Sequence, residues 1–124
     1  MSNSARSALG RTGEDAALGV YAAAGYRLVA RNWRCPLGEI DLIVASDAVL
    51  VICEVKTRAG SGFGGPFEAV TATKRRRLRT LTAAYLSAMP HAAGWGRLDV
   101  RFDVASVSVD AHGGTDVHVF EDAF

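Results

Sequence analysis

Glu54 and Lys56 stand at the end of an apolar run, residues 49–55, that otherwise has the composition of a buried strand. Residues i and i+2 of a strand project from the same face, about 7 Å apart, so these two side chains leave the strand together. Asp41 lies upstream in a second apolar segment, residues 38–43, and a neighbouring strand would bring it beside them. Two acids and a lysine must therefore be accommodated at the edge of a core.

Carboxylates grouped in a half-buried site repel one another and lose solvation unless a cation offsets their charge. A divalent ion such as Mg²⁺ or Mn²⁺, held by a few carboxylates, waters and phosphate oxygens, would do so. The pattern indicates metal-assisted phosphodiester hydrolysis, with Asp41 and Glu54 as metal ligands and the Val55 carbonyl as a candidate further oxygen. The alternative is a buried ion cluster in which Lys56 pairs with both acids, but such a cluster adds little net stability.

Lys56 has two interpretations of nearly equal weight. As a candidate catalytic group, it would orient the attacking water or neutralise charge on the phosphate. As a structural counter-ion, it would only balance the neighbouring acids.

The net charge of +1 is divided unevenly along the chain. Residues 1–79 carry twelve Lys/Arg against seven Asp/Glu, whereas residues 80–124 carry two against six. A basic surface in the same part of the chain as an acidic pocket suits a polyanionic substrate. The alternative is that the basic run at residues 74–79 is only a solvated helix face.

The length of 124 residues predicts a single domain. Residues 1–11 are small, polar and basic, so we expect a flexible N-terminal segment there and one folded domain over residues 12–124. The apolar runs are far shorter than the roughly 20 residues of a membrane-spanning helix, and the N-terminus lacks the apolar core of a signal peptide. The two cysteines have neither metal-ligand spacing nor the density of a disulfide framework. We therefore expect a cytoplasmic protein with no membrane partner.

Hydrophobic periodicity predicts helices from Thr12 to about Ala24 and from about Thr71 to Met89. Alternating apolar residues predict strands over residues 26–32, 39–44, 49–57, 98–109 and 117–120. Four glycines between Arg58 and Pro66 predict a mobile loop. This order of elements predicts an α/β sandwich with a central mixed β-sheet flanked by helices.

The second and third predicted strands are separated by residues 45–48, a connection short enough for a hairpin. On the third strand, Leu50, Ile52, Glu54 and Lys56 share one face. The charged ends of both strands are therefore expected to lie together, with apolar residues filling the other end of that face.

Six segments of the chain are together similar to one protein family: residues 13–17, 32–34, 38–43, 54–58, Lys74 and residues 101–103. On these residues, from about Gly13 to Val109, the chain resembles the YraN-like family of small bacterial proteins. That family is described as predicted endonucleases related to archaeal Holliday-junction resolvases. The resemblance implies a restriction-endonuclease-like fold and a nuclease-like domain that cuts DNA, with branched or junction DNA as candidate substrates. It also implies a homodimer.

By the same resemblance, the acid–lysine signature of such nucleases falls on Asp41, Glu54 and Lys56. Glu14 matches the extra helical acid of resolvase-like members, which would place it in the catalytic set. The alternative for Glu14 is a carboxylate that the helix dipole favours near a helix start.

Nucleic-acid contacts are expected at basic residues near the acid–lysine cluster. Positive charge in the first turn of the second helix opposes the helix dipole, and this local cost indicates anion binding. The expected contact residues are Arg34, Arg58, Lys74, Arg75, Arg76 and Arg77.

Two further hypotheses compete with the metal-dependent endonuclease. The second is a non-catalytic nucleic-acid-binding module that keeps the nuclease fold, and the third is an interaction protein whose charged cluster is structural. The complete acid–lysine set favours the enzyme.

Overall fold

The computed structural model of the chain describes residues 3–60, 71–88 and 98–124. In this part of the chain the predicted order of elements is confirmed: one helix, three strands, a second helix and two strands. Their bounds are α1 (Asn3–Ala23), β1 (Arg27–Cys35), β2 (Gly38–Ala45), β3 (Val49–Ala59), α2 (Ala72–Ala88), β4 (Asp99–Val109) and β5 (Thr115–Phe120).

The five strands form one sheet in the order β1-β2-β3-β4-β5. The pairs β1–β2, β2–β3 and β4–β5 are antiparallel, and β3–β4 is parallel. A parallel pair needs a long crossover, and α2 lies in the stretch of chain that joins β3 to β4. The predicted mixed α/β architecture is therefore confirmed.

The two helices cover opposite faces of the sheet, because alternate residues of β2 and β3 enter two separate apolar clusters. The cluster under α1 joins Ala17 and Tyr21 of the helix to Leu42, Val44, Val51 and Cys53 of the sheet. The cluster under α2 joins Leu78, Leu81 and Tyr85 of the helix to Ile43, Leu50, Ile52 and Phe102 of the sheet.

Neither helix in the described ranges is both long enough and apolar enough to cross a membrane.

The predicted start of the first helix at Thr12 was wrong, because α1 already begins at Asn3. The Thr12 hydroxyl donates to the Ala8 carbonyl at 3.0 Å, the bond that a threonine forms inside a helix rather than at its cap. The predicted stop is confirmed: the helix ends at Ala23, and Gly25 has a φ of 94°. The flexibility of residues 1–11 stays a prediction.

Four of the five described strands are longer than the sequence predicts, and the ladders of β1 and β3 show why. The hairpin of β1 and β2 carries on to the pair Cys35–Gly38, three residues past the predicted end of β1. Arg58 and Ala59, predicted to begin the glycine-rich loop, instead pair with Ser108 and Val109 of β4. Residues 61–66 of that loop, and Met89 at the predicted end of the second helix, lie outside the described residues.

Gly13 brings α1 into direct contact with β3. A Cβ atom at this position would lie 1.8 Å from Thr57 Oγ1 and 2.8 Å from Thr57 Cβ, closer than non-bonded atoms approach. Any other residue at 13 would push the helix away from the strand. Since Glu14 follows directly, the close contact also sets how near Glu14 lies to the charged end of β3.

We expect Gly13→Ala to destabilise the fold by about 1–3 kcal/mol, the usual cost of overpacking a close contact. Gly19→Ala is the matched control, because a Cβ at 19 meets nothing within 4 Å. That variant should gain about 0.5–1 kcal/mol from helix propensity alone. Urea unfolding of both variants measures their free energies of unfolding. If both substitutions raise that free energy equally, the close contact between Gly13 and Thr57 is contradicted.

Candidate active site

The ladder between β2 and β3 brings Asp41 and Glu54 together. Its last pair is Leu42–Cys53, so Asp41 and Glu54 are the next residues on their strands. At this point the Val55 N–H donates to Asp41 Oδ2 at 2.9 Å. A side-chain carboxylate thus ends the ladder, and both acids lie on the face that α2 covers.

Glu54 is buried and faces two ammonium groups. Its side chain is 8% exposed, and Oε1 lies 2.5 Å from Lys74 Nζ and 3.7 Å from Lys56 Nζ. Lys56 comes from the same strand face, as the sequence predicts. Lys74 comes from α2, so the charge of Glu54 is balanced from a second element.

The N-cap of α2 places Lys74 against the sheet. The Lys74 N–H donates to Thr71 Oγ1 at 3.1 Å, and the Arg75 N–H donates to the Thr71 carbonyl at 2.9 Å. Thr71 therefore caps the helix. Lys74 precedes buried Leu78 by four residues and so shares its face, which is the face turned towards β2 and β3.

Asp41 has much weaker compensation than Glu54. Burial raises the pKa of Asp41 to about 7, with a further rise from the neighbouring Glu54 charge, while the Val55 N–H lowers it only in part. Within the described ranges, no Lys, Arg or His nitrogen lies within 4 Å of its carboxylate. Among the described residues, Asp41 is thus a half-buried acid that accepts a hydrogen bond from the Val55 backbone N–H.

The two acids open onto a common cavity of about 210 Å³. Because a water molecule occupies about 30 Å³, this space holds an ion together with several waters. Gly38 lies on the wall with a φ of 142°, a conformation that favours glycine. The lining residues are Gly38, Glu39, Asp41, Glu54, Lys74, Arg77, Leu78 and Leu81.

The ligand set of this cavity suits one kind of metal ion. Among the described residues, no three His, Cys, Asp or Glu side chains converge as a metal cage. Mg²⁺ is commonly bound through one or two carboxylates, with waters and substrate phosphate completing its coordination. Asp41 and Glu54, with room for water beside them, fit Mg²⁺ or Mn²⁺ in that manner.

The two lysines beside Glu54 differ in how firmly they hold their protons. Burial lowers the pKa of Lys56, and the positive charge of Lys74 lowers it further. Burial also lowers the pKa of Lys74, but its contact with Glu54 outweighs that effect and the pKa is raised overall. Lys56 is therefore the lysine that gives up a proton more readily.

Glu14 lies in a separate group of polar side chains, formed between α1 and β1. Its Oε1 accepts hydrogen bonds from Arg31 Nε and Asn32 Nδ2, each at 3.1 Å. Asn32 adopts a φ of 53°, which asparagine tolerates better than most residues. Glu14 raises the pKa of Asp41 by its charge, yet the structure places it in contact with β1 rather than with Asp41 or Glu54.

Of the basic residues expected to contact nucleic acid, Arg77 lies beside the acids, because it lines their cavity from α2. Arg58 is half-buried two residues beyond Lys56 on β3, so both side chains leave the same face of the strand. The contacts of Arg58 and Arg77 with phosphate stay predictions.

The other expected nucleic-acid contacts lie further out. Arg34 is 75% exposed on the β1–β2 hairpin, where its Nε lies 3.1 Å from Glu39 Oε2. Arg75 and Arg76 are exposed on α2. Arg75 and Arg76 lie on α2, which borders the cavity, whereas Arg34 lies on β1, which contributes no residue to its lining.

Sequence reasoning missed two contacts of this site. Arg31, whose pKa is raised chiefly by its contact with Asp15, also pairs with Glu14 and was not singled out. Lys74 was expected to meet phosphate, whereas in the structure it contacts Glu54. The available signal for Lys74 was its place four residues before Leu78, on the buried stripe of the helix.

Comparison with known proteins identifies the family. The profile of the uncharacterised protein family UPF0102 matches residues 13–107. The chain belongs to this family. The matched span of the UPF0102 profile includes Glu14, Asp41, Glu54, Lys56 and Lys74, and so contains the whole cavity site.

Individual UPF0102 proteins match from about three quarters of the chain to all of it. The UPF0102 protein of Frankia casuarinae is 46% identical over 120 residues, which is 97% of this chain and 98% of the relative. That of Frankia alni is 45% identical over 124 residues and covers both chains completely. That of Clavibacter michiganensis is 50% identical over 92 residues, or 74% of this chain and 78% of the relative.

The raised pKa of Asp41 predicts how the stability of this UPF0102 protein depends on pH. An unfolded aspartate has a pKa near 3.9, so between about pH 4 and pH 7 the folded protein retains a proton that the unfolded chain has lost. The free energy of unfolding should therefore fall as pH rises through this window. Asp41→Asn, which still accepts from Val55 but does not ionise, should reduce that fall in urea unfolding with EDTA.

Asp47→Asn is the matched control for this pH experiment, because Asp47 is a fully exposed acid on the turn between β2 and β3. It should leave the pH dependence of the wild type unchanged. If the free energy of unfolding depends on pH in the same way in the wild type and in Asp41→Asn, the raised pKa of Asp41 is contradicted.

Proposed function

We propose that this chain is a Mg²⁺- or Mn²⁺-dependent endonuclease that hydrolyses phosphodiester bonds in DNA. The observation that carries the proposal is the state of Asp41, a half-buried acid that forms no ion pair within 4 Å among the described residues, beside buried Glu54. A second carboxylate in a half-buried cavity is unfavourable unless a cation joins the pair. A site that tolerates this cost is typical of metal-dependent hydrolysis.

The architecture agrees with a restriction-endonuclease-like fold, which we include in the proposal. A mixed sheet carries helices on both faces, and the acids lie where the β2–β3 ladder ends. At that end of the ladder the Asp41 side chain, rather than a backbone carbonyl, accepts from the Val55 N–H. A strand end beside a cavity gives a phosphodiester access to both carboxylates.

In the proposed reaction, Asp41 and Glu54 would hold the ion, with the Val55 carbonyl as a further oxygen. When bound, the ion would supply an activated water and offset charge on the scissile phosphate. Lys56, whose pKa is lowered by burial, would orient the attacking water or donate to the phosphate as charge develops. Glu14 acts at a distance, through its charge and its contacts with Arg31 and Asn32.

DNA is proposed to cross the cavity along the first half of α2. Arg77 lines the cavity wall, exposed Arg75 and Arg76 add positive charge around the same turn of α2, and Arg58 adds a charge from β3. Contacts of this kind read phosphate and shape rather than base edges, which suits branched or junction DNA. A homodimer and a cytoplasmic location stay proposals that rest on the family resemblance and on composition.

One observation favours the alternative of a non-catalytic nucleic-acid-binding module. Glu54 is already paired with Lys74 and Lys56, so half of the acid pair is balanced without a metal. Asp41 is not balanced in this way, and for that reason we prefer the enzyme. The same assay separates the two proposals, since binding without cleavage would support the module.

Cleavage of linear, single-stranded and four-way DNA, with Mn²⁺ and with EDTA, tests the activity. We expect metal-dependent nicking by the wild type. Glu54→Gln should abolish it, and Lys56→Ala should reduce the rate about 10²–10⁴-fold, the usual contribution of a proton-transfer group. Asp47→Asn, which removes one exposed acid, should cleave like the wild type.

Cleavage that persists in Glu54→Gln would contradict the assignment of the site. Metal-dependent binding with no cleavage of any of the three substrates would replace the enzyme with the binding module.

Charge substitutions on α2 test the DNA path. Arg75/Arg76/Arg77→Gln should reduce the slope of log affinity against log salt by about 0.9 for each phosphate that the variant no longer neutralises. The control is Arg27→Gln, because Arg27 is exposed at the start of β1, opposite the last residue of β2 and beside Asp47. Fluorescence anisotropy at several salt concentrations gives the slope for each variant. If the slope changes by the same amount per removed charge in Arg27→Gln as in Arg75/Arg76/Arg77→Gln, a DNA path along α2 is contradicted.

A further inference from the structure

Lys74 contacts the same Glu54 oxygen that a metal ion would need. Lys74 Nζ lies 2.5 Å from Oε1, and Lys56 Nζ lies 3.7 Å from that atom. We propose that Lys74 and a divalent cation compete for Glu54, so that metal binding releases the Lys74 ammonium to an anion bound in the cavity. This inference rests on the proposed function, because it takes Glu54 to be a metal ligand.

Competition follows from the charges at this oxygen. An ammonium group in direct contact with Oε1 leaves no room for a second cation on the same side of that atom. Two cations on neighbouring oxygens of one buried carboxylate would also repel strongly, since water screens them poorly there. The Lys74 contact is therefore weakened or broken when a metal binds Glu54.

Lys74 is the partner that is free to move. About a third of its side chain is exposed, whereas the Glu54 side chain is 8% exposed and fixed on the central strand. The Thr71 cap holds the Lys74 backbone, so only the flexible side chain needs to swing. Lys56 does not play the same part, because it lies 3.7 Å away on the same strand as Glu54.

The position of Lys74 on its helix explains where the ammonium goes. Lys74 lies in the first turn of α2, a turn without an acidic residue, and positive charge there is opposed by the helix dipole. Glu54 supplies the compensating negative charge in the absence of metal. When a metal occupies Glu54, a phosphate in the same cavity restores that compensation for Lys74.

A thermodynamic consequence follows for the order of loading. If metal releases Lys74 and phosphate captures it, metal and DNA each raise the affinity of the protein for the other by the same factor. Lys74 thus keeps metal affinity low in free protein and lets it rise when a polyanion is bound. Lys74 is a positioning residue in this scheme, because it acts through Glu54.

Calorimetric titration with Mn²⁺ alone tests the competition without any turnover. Lys74→Gln should bind Mn²⁺ roughly tenfold tighter than the wild type, the scale of a partly exposed charge-assisted contact. Lys74→Arg, which keeps the positive charge, should stay near the wild-type affinity. Arg79→Gln is the matched charge control on α2, since Arg79 stacks 4.7 Å from the Phe102 ring centroid; its affinity should change less than twofold.

A second titration tests the coupling to DNA. A short duplex should tighten Mn²⁺ binding by a larger factor in Lys56→Ala than in Lys56→Ala/Lys74→Gln, with turnover suppressed in both. Circular dichroism establishes that each variant is folded. Lys74→Met, which keeps most of the apolar stem, replaces Lys74→Gln if the latter does not fold.

The outcomes separate this inference from the proposed function. If Mn²⁺ binds the wild type but not Glu54→Gln, and Lys74→Gln matches the wild type, competition is wrong and the metal site stands. If neither wild type nor Lys74→Gln binds Mn²⁺, or Glu54→Gln binds as well as wild type, the metal site itself is wrong. Tighter binding by Lys74→Gln that disappears on adding Glu54→Gln supports both.

Discussion

The antiparallel register of β2 against β3 is the constraint on which the site depends. Leu42 pairs with Cys53, and the next residue on each strand is an acid. A shift of one residue would turn Asp41 to the opposite face of the sheet and away from Glu54. The register that buries Ile43 and Ile52 under α2 therefore also builds the acid pair, so core and site are set by the same hydrogen bonds.

The unequal compensation of the two acids follows from where α2 lies. The helix reaches Glu54 with Lys74, while Asp41 at the end of the ladder receives a single backbone N–H. One carboxylate is thus held in an ion pair and the other is left with a raised pKa. In the proposed function, this asymmetry would favour a cation in the cavity and, through Lys74, would link that cation to a bound phosphate.

Local patterns allowed much of this arrangement to be predicted from the sequence. The two-residue period of a strand along residues 49–57 predicted the shared face of Glu54 and Lys56, and the short connection at residues 45–48 predicted the hairpin that brings Asp41 near. The contact of Lys74 with Glu54 depends on how α2 packs on the sheet, which no local pattern encodes. Thr12 was misassigned because a threonine inside a helix and one at its cap look alike in sequence.

Anomalous X-ray diffraction from crystals soaked in Mn²⁺ tests most directly whether Asp41 and Glu54 share a metal ion. We expect one strong peak in the cavity bounded by Gly38 and Leu81, within coordination distance of an oxygen from each of the two acids. The peak should vanish in Glu54→Gln crystals treated in the same way. No peak there, or one that survives the substitution unchanged, would contradict a metal site at this pair.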